Sequence, residues 1–166
     1  DLIQTDLANA TVVNGIAAYT YDNVTRARTS GVETSATWRA TAALQLNAAY
    51  TYTQTRDLGT GLDLTRRPEH ILRLGADWRL LPGTTLSLRA RAQGDELVDT
   101  TTRARSPGWG TLDVALNHKV GRATTLFLGV NNVSGRQRDF ANSSDYGPIA
   151  GRFVYLGAKV AFGNAL

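Results

Sequence analysis

Arg73, Arg89 and Arg91 recur at odd positions of alternating apolar and polar stretches, while Arg103, Arg105, Arg136 and Arg138 fall in two polar segments rich in Gly, Ser, Asp and Pro. A guanidinium presents a planar fork of donors that grips carboxylate, phosphate or chelate oxygens two at a time. These positions are therefore candidate contacts for an anionic small molecule, met partly by a polar wall and partly by loops. Tyr146, next to Asp145, adds an aromatic contact candidate in the longest polar segment. Each arginine also has a plainer use, which is to pair with an Asp or Glu and stiffen the wall.

Other chemistries find little support. Cysteine is absent, so there is no disulfide framework, thiolate metal site or cysteine nucleophile. His70 and His118 are the two histidines, far apart in sequence and without neighbouring carboxylates at ligand spacing, so neither metal nor cofactor is expected. No Gly-x-Ser-x-Gly elbow accompanies the Ser, His and Asp residues, and the reading is not an enzyme. A net charge of +4 built from 16 Arg and 2 Lys raises nucleic acid as a partner, but the arginines are spread over strand faces and loop ends and form no single patch. Four matches to the glycosylation sequon, at Asn9, Asn23, Asn132 and Asn142, read as loop composition.

The elements that must carry these residues are strands. In Gly151–Phe162, Val154, Leu156, Ala158, Val160 and Phe162 alternate with Tyr155, Gly157, Lys159 and Ala161, a period of two that puts successive side chains on opposite faces. Leu44 to Tyr52, Leu72 to Leu80, Leu86 to Ala92, Leu112 to Leu116 and Leu126 to Val130 repeat the pattern, with a further strand expected over 25–39. Hydrophobic residues make up 42% of the chain and no run of 18 is apolar, so no helix crosses a membrane. A membrane-spanning form has to be a barrel, which pairs every backbone group in lipid. Much of the apolar count is alanine, thin for an interlocking soluble core but sufficient against hydrocarbon.

Loop lengths point the same way. Short connections are expected at 40–43, 81–84 and 121–123, and long ones at 5–15, 57–68, 97–108 and 134–150, the segregation by end that outer-membrane barrels show. Trp38, Trp78 and Phe162 then fall at the short-turn end, where an aromatic girdle belongs. Across the 81–84 turn Asp77 lies opposite Arg89 or one diagonal step away, a cross-strand ion pair on the polar face. The chain opens on Asp1-Leu2-Ile3-Gln4 without a leader pattern, as expected of a mature or excised segment whose first strand is cut.

Asn23-Val24-Thr25-Arg26-Ala27-Arg28-Thr29-Ser30-Gly31-Val32-Glu33 resembles a barrel strand of the TonB-dependent outer-membrane receptors. Tyr50-Thr51-Tyr52-Thr53 with Arg66-Arg67-Pro68-Glu69-His70 is similar to the strand, loop and strand that follow there. Gly129 to Val133 and Gly151 to Phe162 resemble its later elements, the latter its closing strand. The family's Leu-Phe-Asp element is replaced here by Asn132-Val133-Ser134, and four residues follow Phe162. The resemblance implies a mainly β chain: about eight antiparallel transmembrane strands from the C-terminal part of a 22-stranded barrel, spanning 1–166. It implies a bacterial outer-membrane location among lipid and lipopolysaccharide, and import of a scarce ligand such as a ferric siderophore or cobalamin. Energy would come from the TonB system through a plug domain outside this sequence, and the arginines would then meet an anionic metal chelate. Two alternatives stay open: a self-contained eight-stranded outer-membrane protein of structural or adhesive role, whose first strand would close onto its last, and a soluble ligand carrier with its leucines turned inward.

Overall fold

The computed structural model describes residues 5–13, 16–23 and 26–162, with side chains from residue 26 onward. Its elements are all strands: β1 (Thr5–Val13), β2 (Ile16–Asn23), β3 (Ala27–Arg39), β4 (Leu44–Asp57), β5 (His70–Leu81), β6 (Thr84–Gln93), β7 (Glu96–Leu97), β8 (Arg105–Ser106), β9 (Trp109–Val120), β10 (Thr124–Asn131) and β11 (Phe153–Val160). Seven form one antiparallel sheet in the order β11-β10-β9-β6-β5-β4-β3, while β1 pairs with β2 and β7 with β8 in separate two-stranded sheets. The edges β3 and β11 are not paired with each other, so the sheet is an open wall.

Register explains why the wall has two chemically different faces. Leu44, Trp78, Leu86, Leu116, Leu128 and Leu156 are successive cross-strand partners from β4 to β11. Each strand therefore adds its apolar residues to the same side, because a one-residue slip would send them to the other. Among the described residues no second layer covers that side. Among the described residues the buried hydrophobic ones are Leu64 and Leu97, both outside the seven-stranded sheet, whereas Leu74 is 45% and Leu156 81% exposed. The leucines thus do not share a dry interior, and the soluble-carrier alternative loses its premise.

Glycines on the opposite face receive large neighbours. A Cβ on Gly157 would overlap the Phe127 ring, one on Gly129 the Tyr155 ring, and one on Gly75 the Asn47 side chain. Each partner lies directly across the ladder. The two aromatic pairs interlock β10 with β11 in opposite senses.

The short connections lie at one end. Gly83 and Gly121 turn there with φ of 79° and 66°, and Thr41 Oγ1 accepts the N–H groups of Ala43 and Leu44 at 3.1 and 3.0 Å. The long connections 58–69, 94–108 and 132–152 lie at the other. Trp38 and Trp78 are exposed near the short-turn end, as expected. The expected long loop over 5–15 is instead mostly β1, paired with β2, so nine strands of eight residues or more are present among the described residues where about eight were expected. Asp6 and Asn9 break the alternation there, and a register shift between Ala8 and Ala10 shows the irregularity that hid the strand. The expected strand tail at 1–4 lies outside the described residues.

Candidate functional site

Arg73, Arg89 and Arg91 all project from the polar face, but only two of them are free for a ligand. Arg89 donates through Nη2 to both carboxylate oxygens of Asp77 at 2.8 Å, while Ser87 donates its hydroxyl to Oδ1 at 2.7 Å. That is the expected diagonal ion pair, since Asp77 is the ladder partner of Ser87 and Arg89 that of Gly75. Arg89 Nη1 also donates to the Ala76 and Leu88 carbonyls at 3.1 and 2.8 Å, which makes Arg89 a strut. Arg73 and Arg91 are direct cross-strand partners, and Arg91 lies over the Trp109 ring at 5.1 Å. Two like charges opposed in this way repel, so an anion between them would relieve the pair.

Above them the three long connections tie into one layer. Arg66 donates its backbone N–H to the Leu97 carbonyl at 2.8 Å, and Tyr146 donates its own to Ser106 Oγ at 2.8 Å. Arg105 bridges Asp95 and Asp63, so it ties the 94–108 connection to the 58–69 one. Arg103 is exposed in the connection between β7 and β8 with φ of 58°. Arg136 holds Asp145 at 3.1 Å, and Asp145, 1% exposed, also accepts the N–H groups of Asp139 and Gly147. Those two N–H groups, then Arg136, hold the Asp145 carboxyl below the usual carboxylate range despite burial. Asp145 and Arg136 are thus the frame of the 132–152 loop, not free ligand contacts.

Arg138 and Tyr146 remain available and meet a residue that sequence spacing did not single out as a contact. The guanidinium carbon of Arg138 lies 4.9 Å from the Tyr146 ring centre and that of Arg66 lies 5.0 Å from it. Arg138 Nε is buried without a hydrogen-bond partner. Arg66 and Arg67 also line a concavity of about 420 Å³ on the polar face together with Arg73, Glu33 and Thr51. Within this layer Glu96 is buried, and burial raises its carboxyl above the ordinary value, against the opposing pull of Arg66 and Arg67.

Of the eight residues expected from sequence, Arg73, Arg91, Arg138 and Tyr146 fall on the upper polar face and its loop layer without a carboxylate partner among the described residues. Arg89, Arg105 and Arg136 are consumed by ion pairs, and Arg103 is exposed in the β7–β8 connection. The Arg66-Arg67-Pro68 run was visible only as part of a motif, because its partner Tyr146 is 80 positions away. Among the described residues no three His, Cys, Asp or Glu side chains converge as metal ligands would. The arrangement offers an electropositive, partly aromatic bowl suited to an oxygen-rich anion.

The family model described as TonB dependent receptor-like, beta-barrel, matches residues 1–133. No curated protein matches by sequence. Among solved structures, the ferric yersiniabactin uptake receptor FyuA from Yersinia pestis superposes with a TM-score of 0.72 at 19% identity, over 87% of this chain and 25% of that one. A point mutant of the ferric enterobactin receptor PfeA from Pseudomonas aeruginosa, in complex with enterobactin, gives 0.72 at 18%, over 96% and 27%. The ferric-catecholate import receptor Fiu from E. coli K12 gives 0.66 at 24%, over 90% and 22%. Likeness at such identities is likeness of fold, and this chain spans about a quarter of the length of those structures.

Proposed function

This chain belongs to the TonB-dependent receptor β-barrel family, and from that premise we propose that it forms a C-terminal part of the wall of a 22-stranded outer-membrane importer. The observation that carries the reading is the pairing of faces: one continuous, uncovered apolar side, backed by an arginine-bearing side under a cross-tied layer of long loops. In a bacterial outer membrane the apolar side meets lipid and the polar side meets the lumen. Open edges at β3 and β11 suit a wall continued by further strands better than a closed eight-stranded barrel.

The cargo on this reading is a scarce anionic metal chelate of the ferric siderophore class. The loop layer and upper lumen capture it through Arg66, Arg67, Arg73, Arg91 and Arg138, with Tyr146 as the aromatic contact. Arg89, Arg105 and Arg136 hold those groups in place. A plug domain coupled to the TonB system then moves to admit the cargo, so the role is transport and not catalysis. The solved structures of similar fold include receptors for ferric yersiniabactin and ferric enterobactin, which supports the chelate class.

Titration of the full-length protein with a panel of ferric siderophores tests this. Arg73→Gln with Arg91→Gln is expected to weaken binding of an anionic ferric catecholate about tenfold, because two charge-assisted contacts are lost. Unchanged affinity in that double variant across every anionic chelate the protein binds would sink the assignment.

A further inference from the structure

In the seven-stranded sheet the even-numbered residues share the apolar face from β3 to β11. Along it run Leu, Ala, Val, hydroxyl, amide, aromatic and imidazole side chains, and only Arg28 and Arg56 carry a full charge. The four carboxylates of these strands, Glu33, Asp57, Asp77 and Asp113, are all odd-numbered and face the other way. Arg28 and Arg56 are Cα partners in β3 and β4 at the long-loop end. Both are exposed, and no carboxylate lies within ion-pair distance of either among the described residues. Direct cross-strand neighbours have Cβ atoms about 5 Å apart, where like charges destabilise the pair. The arrangement is therefore a cost to the bare fold that an anion shared between the two guanidiniums would remove.

What lies below them on the same face specifies the anion. After Ser30 and Gln54 comes a ring layer: His70 packs 5.3 Å from Tyr52 and 6.1 Å from Tyr50, and the Tyr50 hydroxyl is 2.8 Å from His70 Nδ1. Amphipathic rings of this kind mark the boundary between headgroups and acyl chains. Beneath them lie Leu72, Leu74, Ala48 and Ala90, which offer only hydrocarbon contact. Cation pair, polar step, ring belt and apolar field match in order the phosphate, sugar, linkage and acyl chains of a phosphorylated glycolipid.

We propose that Arg28 and Arg56 form a site on the outer wall for the phosphate of lipid A, the glycolipid anchor of lipopolysaccharide in the outer leaflet. This rests on the reading of the chain as outer-membrane wall with its long loops outward. Two forked guanidiniums clamp one phosphate, Ser30 and Gln54 meet the sugar, and the Tyr50, Tyr52 and His70 rings seat the linkages to the acyl chains.

The test uses the full-length protein in detergent, with bound lipid counted by native mass spectrometry against bisphosphorylated lipid A, dephosphorylated lipid A and phosphatidylglycerol. The expected result is retention of bisphosphorylated lipid A about tenfold tighter than either other lipid, lost in R28Q/R56Q and kept in R122Q at the opposite end. R28K/R56K keeps the charge without the fork and is expected to fall between, which guards against a folding defect in the neutral variant. Equal retention by R28Q/R56Q and the unaltered protein would overturn the site, and so would equal retention of phosphatidylglycerol. A failure of the wall reading looks different: the protein would then be missing from outer-membrane fractions and would show no heat-dependent mobility shift on a gel.

Discussion

A methyl group added at Gly157 has no room, because the Phe127 ring already occupies the space above that glycine, and Tyr155 fills the space above Gly129 in the same way. Gly157→Ala is therefore expected to destabilise the β10–β11 pair by about 1–3 kcal/mol, as overpacking does. Adding Phe127→Ala should return much of that loss, since it removes the clashing ring. Urea unfolding of the full-length protein in micelles checks both, and a double variant no better than the single one would show that the interlock is not the cause. Asp145 is a residue of another kind, working through its charge. The N–H of Asp139, then that of Gly147, hold its pKa below the ordinary carboxylate value. A lowered folded-state pKa contributes stability that is present above the unfolded value and lost as pH falls through the folded one. Asp145→Asn leaves one acceptor oxygen for two backbone donors, so the Asp139 and Gly147 amides should lose hydrogen-exchange protection at neutral pH. As pH falls through that lowered folded-state value, the unaltered protein should converge on the variant. Equal protection of the two proteins at pH 7 would refute the role.

At the scale of elements, β7 and β8 pack the middle loop down against its neighbours, and the buried carboxyl of Glu96 is the weak point of that hairpin. Burial raises its pKa, so its contribution is favourable while it is protonated at low pH and is lost as pH rises through the folded value. Glu96→Gln should slow proteolysis of the 94–108 connection at pH 7 and leave it unchanged at pH 4. The opposite order would mean that Arg66 and Arg67 outweigh burial. The seven strands of the sheet were legible because Leu and Ala alternate with polar residues for many positions, and the register follows once turns such as 82–83 are located. β7 and β8, at two residues each, are too short to show any period. β1 hid behind its bulge. The site was half legible for a related reason. Parity puts Arg73, Arg89 and Arg91 on the polar face, but nothing local says that Asp77 consumes Arg89 while Arg91 stays free, or that Arg66 meets Tyr146 from another loop.

For the molecule as a whole, everything depends on which solvent the even-numbered face meets. Leu74 is midway along β5 between Trp78 and His70 and is 45% exposed, with none of the described residues layered over it. From Trp78 to His70 the strand covers roughly 27 Å along its axis, comparable with the apolar band of about 25 Å in outer-membrane barrels once tilt is allowed for. If that face lies in hydrocarbon, Leu74→Arg places a guanidinium near the bilayer midplane at a cost of about 2–4 kcal/mol. Thr51→Arg, on the odd face opposite Glu33, should be tolerated because lumen substitutions meet water. Assembled full-length protein, measured as the heat-modifiable band in outer-membrane fractions, should fall severalfold for Leu74→Arg and hold for Thr51→Arg. In water the ranking would vanish, because an arginine on a 45% exposed site costs little there. Equal assembly of the two variants would therefore place water on both sides of the sheet and remove the membrane from the account.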